Sequence, residues 1–286
     1  MLIGAIEAGG TKFVCSVMDE FNETKDRCVI QTQKPEDTLA EVVDFFKDHP
    51  IESLGVGAFG PIDLNVKSDT YGTIKNTPKK EWKDFPLLDE LKRIIGVPVA
   101  VDTDVNAACL GEFRFGAAED VDSAMYITIG TGVGAGFVKD DEVFKGVTHP
   151  EMGHIKVKKM DGDTFRGSCP YHEDCIEGLV SGPAIEKRTG IKGADISVDD
   201  PVWETVAHYI AEALVNYTLV LCPERIIIGG GVMKQAHLYP LIRTEFKKIL
   251  NDYIEIDDVE TYITAPLLND DQGVIGAAAL SKDIRG

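Results

Sequence analysis

The sequence predicts an α/β protein of two domains built on a duplicated plan. Three observations predict it. Apolar strand-like runs alternate with helical patterns along the chain, as they do where strands pack under helices. The order apolar run, Gly/Thr-rich turn, apolar run, acidic turn occurs at 2–20 and again at 124–142, and this long-period repeat reads as a duplicated domain. The length, 286 residues, suits about two domains at ~150 residues each.

Residues 2–7 and 13–18 are short apolar runs, read as strands, with Ala8-Gly9-Gly10-Thr11-Lys12 as the turn between them. In 38–47, Leu39, Val42, Val43 and Phe46 recur at helical spacing. Residues 54–58 form a strand that runs into the loop Phe59-Gly60-Pro61. Residues 87–95 read as a helix stopped by Gly96, and 97–101 as a strand. Asp102-Thr103-Asp104-Val105-Asn106 ends that strand and opens a helix through Ala107, Ala108 and Leu110. The second half restarts with a strand at 124–129, a glycine-rich turn at 130–136 and a short strand at Phe137-Val138. From 151 to 177 the pattern is irregular and polar. Residues 205–221 read as a long helix with Val206, Ile210, Leu214, Tyr217 and Leu221 on one face. A strand at 225–228 then runs into Gly229-Gly230-Gly231. A helix at 238–250, a short strand at 263–266 and a small-residue helix at 273–280 complete the chain.

An apolar fraction of 44% with 27% charged residues excludes a disordered or fibrous chain. No apolar run approaches the ~18 to 20 residues that span a bilayer. Residues 1–12 lack the basic start of a signal peptide and carry Glu7 inside the apolar stretch, so a cytoplasmic protein is expected. Twenty-nine basic residues against 48 acidic ones, net −19, disfavour nucleic acid and anionic membranes as partners. An anionic ligand then needs a local device, such as backbone amides or a metal ion. With no export signal, disulfides are not expected, and Cys15, Cys109 and Cys222 read as small buried residues in apolar segments.

Three glycine-rich turns follow strands: Gly9-Gly10-Thr11, Gly130-Thr131-Gly132-Val133-Gly134 and Gly229-Gly230-Gly231. Glycine lets a backbone approach a ligand and aim successive N–H groups at it. One such turn is a hairpin; three at strand ends in so acidic a chain point to phosphate. None is a P-loop, and none is a dinucleotide fingerprint. Asp104, at a strand end, can take a proton from a substrate hydroxyl or can cap a helix. Cys169-x2-His172-x2-Cys175 with His154 upstream supplies four ligands suited to a closed, structural zinc site.

These motifs resemble the ROK family of bacterial sugar kinases over nearly the whole chain. Gly9-Gly10-Thr11-Lys12 resembles the first phosphate loop, and Gly60-Pro61 the sugar-side loop. Asp104-Val105-Asn106-Ala107-Ala108 resembles the segment that carries the catalytic base. Gly130-Thr131-Gly132-Val133-Gly134 is similar to the second phosphate loop. Glu151-Met152-Gly153-His154 is similar to the Glu-x-Gly-His signature, and Gly229-Gly230-Gly231-Val232 to the adenosine-side loop. Within the family, 7–13 and 169–175 resemble the fructokinase branch. Three positions depart from most members. Glu7 replaces Asp near the metal–phosphate centre. Two Cys and two His replace three Cys and one His on zinc. Thr103 replaces an Asn that helps hold a pyranose, which argues against strict glucose use.

The resemblance implies the duplicated actin/hexokinase/Hsp70-like (ribonuclease H-like) fold with an active-site cleft between its domains. Residues 1–108 with 273–286 would form one domain, and 109–272, with a zinc loop at 151–177, the other. It implies ATP on the glycine turns, with Mg²⁺, and phosphorylation of a free hexose at its 6-hydroxyl, D-fructose first. Asp104 is then the general base. Gly60, Pro61, Thr103, Asp104, Glu151, His154 and Glu177 would contact sugar, and His154, Cys169, His172 and Cys175 would hold a structural zinc. A homodimer is implied as well. The alternatives are a glucose, mannose or N-acetylmannosamine kinase and a non-catalytic sugar sensor. A repressor branch with an N-terminal DNA-binding domain is disfavoured, because the sequence opens on the first phosphate loop and carries net charge −19.

Overall fold

The computed structural model describes residues 1–77 and 79–284. The chain divides into two compact units. The first holds Met1–Glu119, Asp141–Pro150 and the chain from Leu267 onward; the second holds Asp120–Asp140 and Glu151–Pro266.

The first unit is built on β1 (Leu2–Ala8), β2 (Lys12–Asp19), β3 (Thr24–Gln31), β4 (Ser53–Ala58) and β5 (Val99–Thr103), in the order β3-β2-β1-β4-β5. The first three form an antiparallel meander, with Ile6 opposite Cys15 and Cys15 opposite Cys28. β4 and β5 add in parallel. Every residue of β4 is buried, as expected of a parallel strand covered on both faces. One sheet face gathers Ile6, Phe13 and Val56 with Leu39, Val42 and Phe46 of α1 (Pro35–Phe46) and Leu87 and Leu91 of α2 (Leu87–Ile95). The alternate residues Ile3, Ala5 and Val14 pack on Val274, Ala277 and Ala278 of the C-terminal helix, α9 (Gln272–Asp283). α9 is rich in small residues because it lies directly on its neighbours' backbones. A Cβ on Gly276 would stand 1.7 Å from the carbonyl oxygen of Ala107 in α3 (Asp104–Phe115).

The second sheet comprises β6 (Ser123–Ile129), β7 (Val133–Lys139), β8 (Glu142–Val143), β9 (Arg225–Gly229) and β10 (Ile263–Thr264), in the order β10-β9-β6-β7-β8. β6 pairs antiparallel with β7 and parallel with β9. Read from its other edge, the first sheet is β5-β4-β1-β2-β3. In both sheets the first strand of the repeat is central, its hairpin partner lies on one side, and parallel strands lie on the other. The repeat heard in the glycine turns is thus a repeat of topology. The core of this unit gathers Met125, Ile127 and Ile228 with Trp203, Val206, Ile210 and Leu214 of α6 (Val202–Leu221) and Ile242 and Phe246 of α7 (Leu238–Leu250). The shorter helices are α4 (Ile176–Val180), α5 (Gly182–Thr189) and α8 (Val259–Tyr262). No helix among the described residues is long and apolar enough to cross a membrane.

The elements depart from the sequence reading at several points. β3 has no apolar run, because the half that opens it, Thr24-Lys25-Asp26-Arg27, is exposed on an edge strand. β5 starts and ends two residues later than 97–101, because Asp102 and Thr103 pair with Gly57 and Ala58. β7 starts at Val133, so Gly134 and Gly136 are strand residues opposite Thr128 and Tyr126, and the turn is only 130–132. α4 and α5 were hidden behind the irregular 151–177 stretch. The boundary expected between 108 and 109 falls inside α3, which lies whole in the first unit. Cys15 and Cys109 are buried, but Cys222 is exposed where it ends α6 with φ +47°.

Candidate active site and metal centre

In the first unit, Gly9-Gly10-Thr11 turns β1 into β2. The Gly9 N–H donates to the Lys12 carbonyl at 2.9 Å. Thr32 fixes the turn, its hydroxyl donating to the Gly9 carbonyl at 2.7 Å and its N–H to the Thr11 carbonyl at 2.9 Å. Thr11 and Lys12 are exposed. Glu7 lies just before the turn, and burial pushes its carboxyl above the ordinary range despite Lys12 and Arg27 nearby. The loop after β4 carries Gly60 and Pro61, both exposed and joined by a cis peptide, with the Lys75 N–H donating to the Pro61 carbonyl at 2.7 Å.

β5 hands the chain to α3 at Thr103. Thr103 is the helix cap: its Oγ1 accepts from the Asn106 N–H at 3.1 Å. The capping role open to Asp104 in the sequence is therefore taken by its buried neighbour. Asp104 opens the helix, with Oδ1 accepting from the Val105 N–H at 2.9 Å, and a carboxylate in the first turn is favoured by the helix dipole.

In the second unit, the Gly130 N–H donates to the Gly132 carbonyl at 2.9 Å and closes the turn between β6 and β7. Gly182 donates its N–H to the Gly130 carbonyl at 2.7 Å and opens α5, which Ser181 caps. Gly229 ends β9. Gly230 has φ +93°, and a Cβ there would stand 2.5 Å from the Ile129 carbonyl oxygen, so only glycine fits. The second and third turns are thereby neighbours. Gly130, Thr131 and Gly231 line one pocket of about 440 Å³ with Pro183, Trp203 and Lys234. Amide-bearing turns at the edge of an apolar-walled pocket suit a phosphate and its attached base.

Glu151 is exposed and leads into the short turn Met152–His154. Gly153 packs against β7, where a Cβ would stand 1.7 Å from the Val133 carbonyl oxygen. His154, Cys169, His172 and Cys175 converge, with one ligand atom from each lying within 4.8 Å of the others. His154 Nδ1 is 3.5 Å from Cys175 Sγ and 3.8 Å from Cys169 Sγ, and His172 Nδ1 is 3.9 Å from Cys169 Sγ. A tetrahedral zinc with ordinary bond lengths has an S···N edge of about 3.6 Å. The donor set and spacing are therefore compatible with zinc. Burial, reinforced by the Cys169 thiol, pushes the Cys175 thiol up to about 11 without a cation. Lys156 Nζ donates to the His172 carbonyl at 2.7 Å and pairs with Asp174. Glu177 Oε2 accepts from the Val133 N–H at 3.1 Å.

Three groups that sequence reasoning missed lie in these places. Lys192 and Lys234 line the glycine pocket. Ser181-Gly182-Pro183 is a capping residue followed by proline in the first turn, a signal that would have found α5. Asp102 is buried and ion-paired with Lys145 at 2.6 Å, and no local pattern links residues so far apart.

The sequence profile of the ROK family matches residues 3–284. A fructokinase of Pediococcus pentosaceus is 46% identical over 282 residues, covering 99% of this chain and 98% of the relative. A fructokinase of Lactococcus lactis subsp. cremoris is 43% identical, covering 93% and 92%. A crystal structure of a ROK family glucokinase from Streptomyces griseus, in complex with glucose and AMPPNP, superposes with a TM-score of 0.78 at 26% identity, covering 99% of this chain and all of the other.

Proposed function

Because the chain belongs to the ROK family, we propose that it transfers the terminal phosphoryl group of ATP to the 6-hydroxyl of a free hexose, D-fructose before other sugars. The observation that carries this reading is the near-complete, 46% identity to a relative named fructokinase. The pocket shared by the second and third glycine turns supports the nucleotide half of it.

Phosphoryl transfer asks a protein for positioning and charge stabilisation more than for covalent chemistry. The amides of Gly9, Gly10, Thr11, Gly130, Thr131 and Gly132 would face phosphate oxygens, with Lys12 adding a cation, while Gly229, Gly230 and Gly231 would flank the adenosine. Gly134 would serve as a strand residue of β7, opposite Thr128 just behind the turn. Magnesium, bound with ATP, supplies neutralising charge to the phosphates. Asp104 would accept the proton of the attacking hydroxyl. Gly60, Pro61, Thr103, Glu151, His154 and Glu177 would set the sugar's position. Zinc on His154, Cys169, His172 and Cys175 would order the 151–177 loop without touching phosphate. With Nδ1 turned to the cysteines, His154 keeps Nε2 for the sugar. The reading includes two functional domains and a homodimer in the cytoplasm.

The test is a coupled ADP-release assay with Mg-ATP against fructose, glucose, mannose and N-acetylmannosamine. Fructose turnover well above the rest is expected. Better turnover of glucose or mannose would keep the kinase and discard fructose. No turnover with any sugar would move the protein to the sensor class.

A further inference from the structure

Asp102, at the end of β5, has its side chain 1% exposed. Its Oδ1 accepts from the Thr103 N–H at 2.8 Å and from Asn106 Nδ2 at 2.6 Å. Its Oδ2 makes no hydrogen bond among the described residues, and its one ion-pair partner among them is the Lys145 ammonium at 2.6 Å. Lys145 belongs to Asp141–Pro150, the segment of the first unit that leads to Glu151. Lys145 supplies the counter-charge to this buried carboxylate, and breaking such a pair by removing one partner is costly. Asp104 stands two residues further on, at most about 7 Å along the chain. Uncompensated, Asp102 would set a second negative charge beside the base, in a place of low dielectric.

We propose that Lys145 is a positioning residue for Asp104. By neutralising Asp102 it leaves the base as the only net negative charge at the start of α3. The inference rests on the kinase reading of Asp104.

The experiment measures kcat and both KM values with fructose and Mg-ATP for wild type, Lys145→Met, Lys145→Arg and the double variant Asp102→Asn/Lys145→Met, with thermal unfolding of each. Lys145→Met should lose about tenfold in kcat with the KM for ATP unchanged. Lys145→Arg, which keeps the charge, should stay within about threefold of wild type. The double variant removes both charges and should recover to within about threefold of wild type, well above Lys145→Met alone. A double variant as slow as Lys145→Met overturns the proposal, since Lys145 would then be only a tether for its loop. So does wild-type kcat in Lys145→Met. Wild type without hexose turnover overturns the kinase reading, and this inference with it; the other two outcomes overturn the inference alone.

Discussion

Glu177 accepts a hydrogen bond from the backbone N–H of Val133 at 3.1 Å, and Gly153 lies so close to the Val133 carbonyl that a Cβ would stand 1.7 Å from its oxygen. Both ends of the 151–177 loop thus clasp the residue that follows the Gly130-Thr131-Gly132 turn. Loop order and turn geometry are coupled through that one backbone unit. Glu177→Ala should therefore raise the KM for ATP as well as for fructose, each by about tenfold. A rise confined to fructose in steady-state kinetics would make Glu177 a sugar contact only.

Asp104→Asn keeps the size and position of the side chain but loses the base. Turnover should fall by at least about 10²-fold. Nucleotide binding, followed by calorimetry, should stay near wild type. Near-normal turnover in this variant would remove Asp104 from the base role.

Metal analysis of the purified protein should find one zinc per chain. Cys175→Ser should lose that zinc, lower the melting temperature and abolish fructose binding, and through the Val133 contact it should also weaken Mg-ATP binding, by about tenfold. Because the thiols must deprotonate to bind, zinc retention against a chelator should weaken as pH falls. Full activity in zinc-free protein would contradict a structural metal.

Gly230→Ala meets two obstacles, a φ of +93° and a Cβ 2.5 Å from the Ile129 carbonyl oxygen. The third turn must then shift away from the second. The expected cost is about 1–3 kcal/mol of stability, with a raised KM for ATP and an unchanged KM for fructose. Chemical denaturation and steady-state kinetics would measure both.

Within the 151–177 loop, Asp163 accepts from both terminal guanidinium nitrogens of Arg188, at 2.9 and 3.0 Å, and from the hydroxyl of Tyr209. Burial alone would push its carboxyl up, but Arg188 and Tyr209 outweigh it and hold it well below the usual range. A carboxyl depressed in the folded state stabilises above its unfolded value and loses that contribution as pH falls. Melting temperature should therefore drop below about pH 4, the ordinary range of an aspartate. Asp163→Asn should melt lower at pH 7 and show a shallower drop on acidification. Parallel melting curves for the two proteins would contradict the linkage.

The legible parts of the chain were those whose signal is local. Continuous apolar runs marked β1 and β2, which are buried on both faces, and helical spacing of apolar residues marked α1 and α6. Glycine turns and the Cys-x2-His-x2-Cys spacing were legible for the same reason, as ligand and backbone chemistry restrict residue type at short range. β3 was not, since an edge strand draws its stability from its neighbour rather than from its own pattern, and α5 announces itself only by its Ser181-Gly182-Pro183 start. The sequence by itself determined the repeat, the three turns, the Cys/His cluster as a candidate metal-ligand set and Asp104 as a candidate base. Only the tertiary structure decided that Thr103 rather than Asp104 caps α3, that two glycine turns share one pocket, and that Lys145 pairs with Asp102. Those are contacts between residues distant in the chain, or choices between adjacent side chains for one hydrogen bond, and packing selects among them.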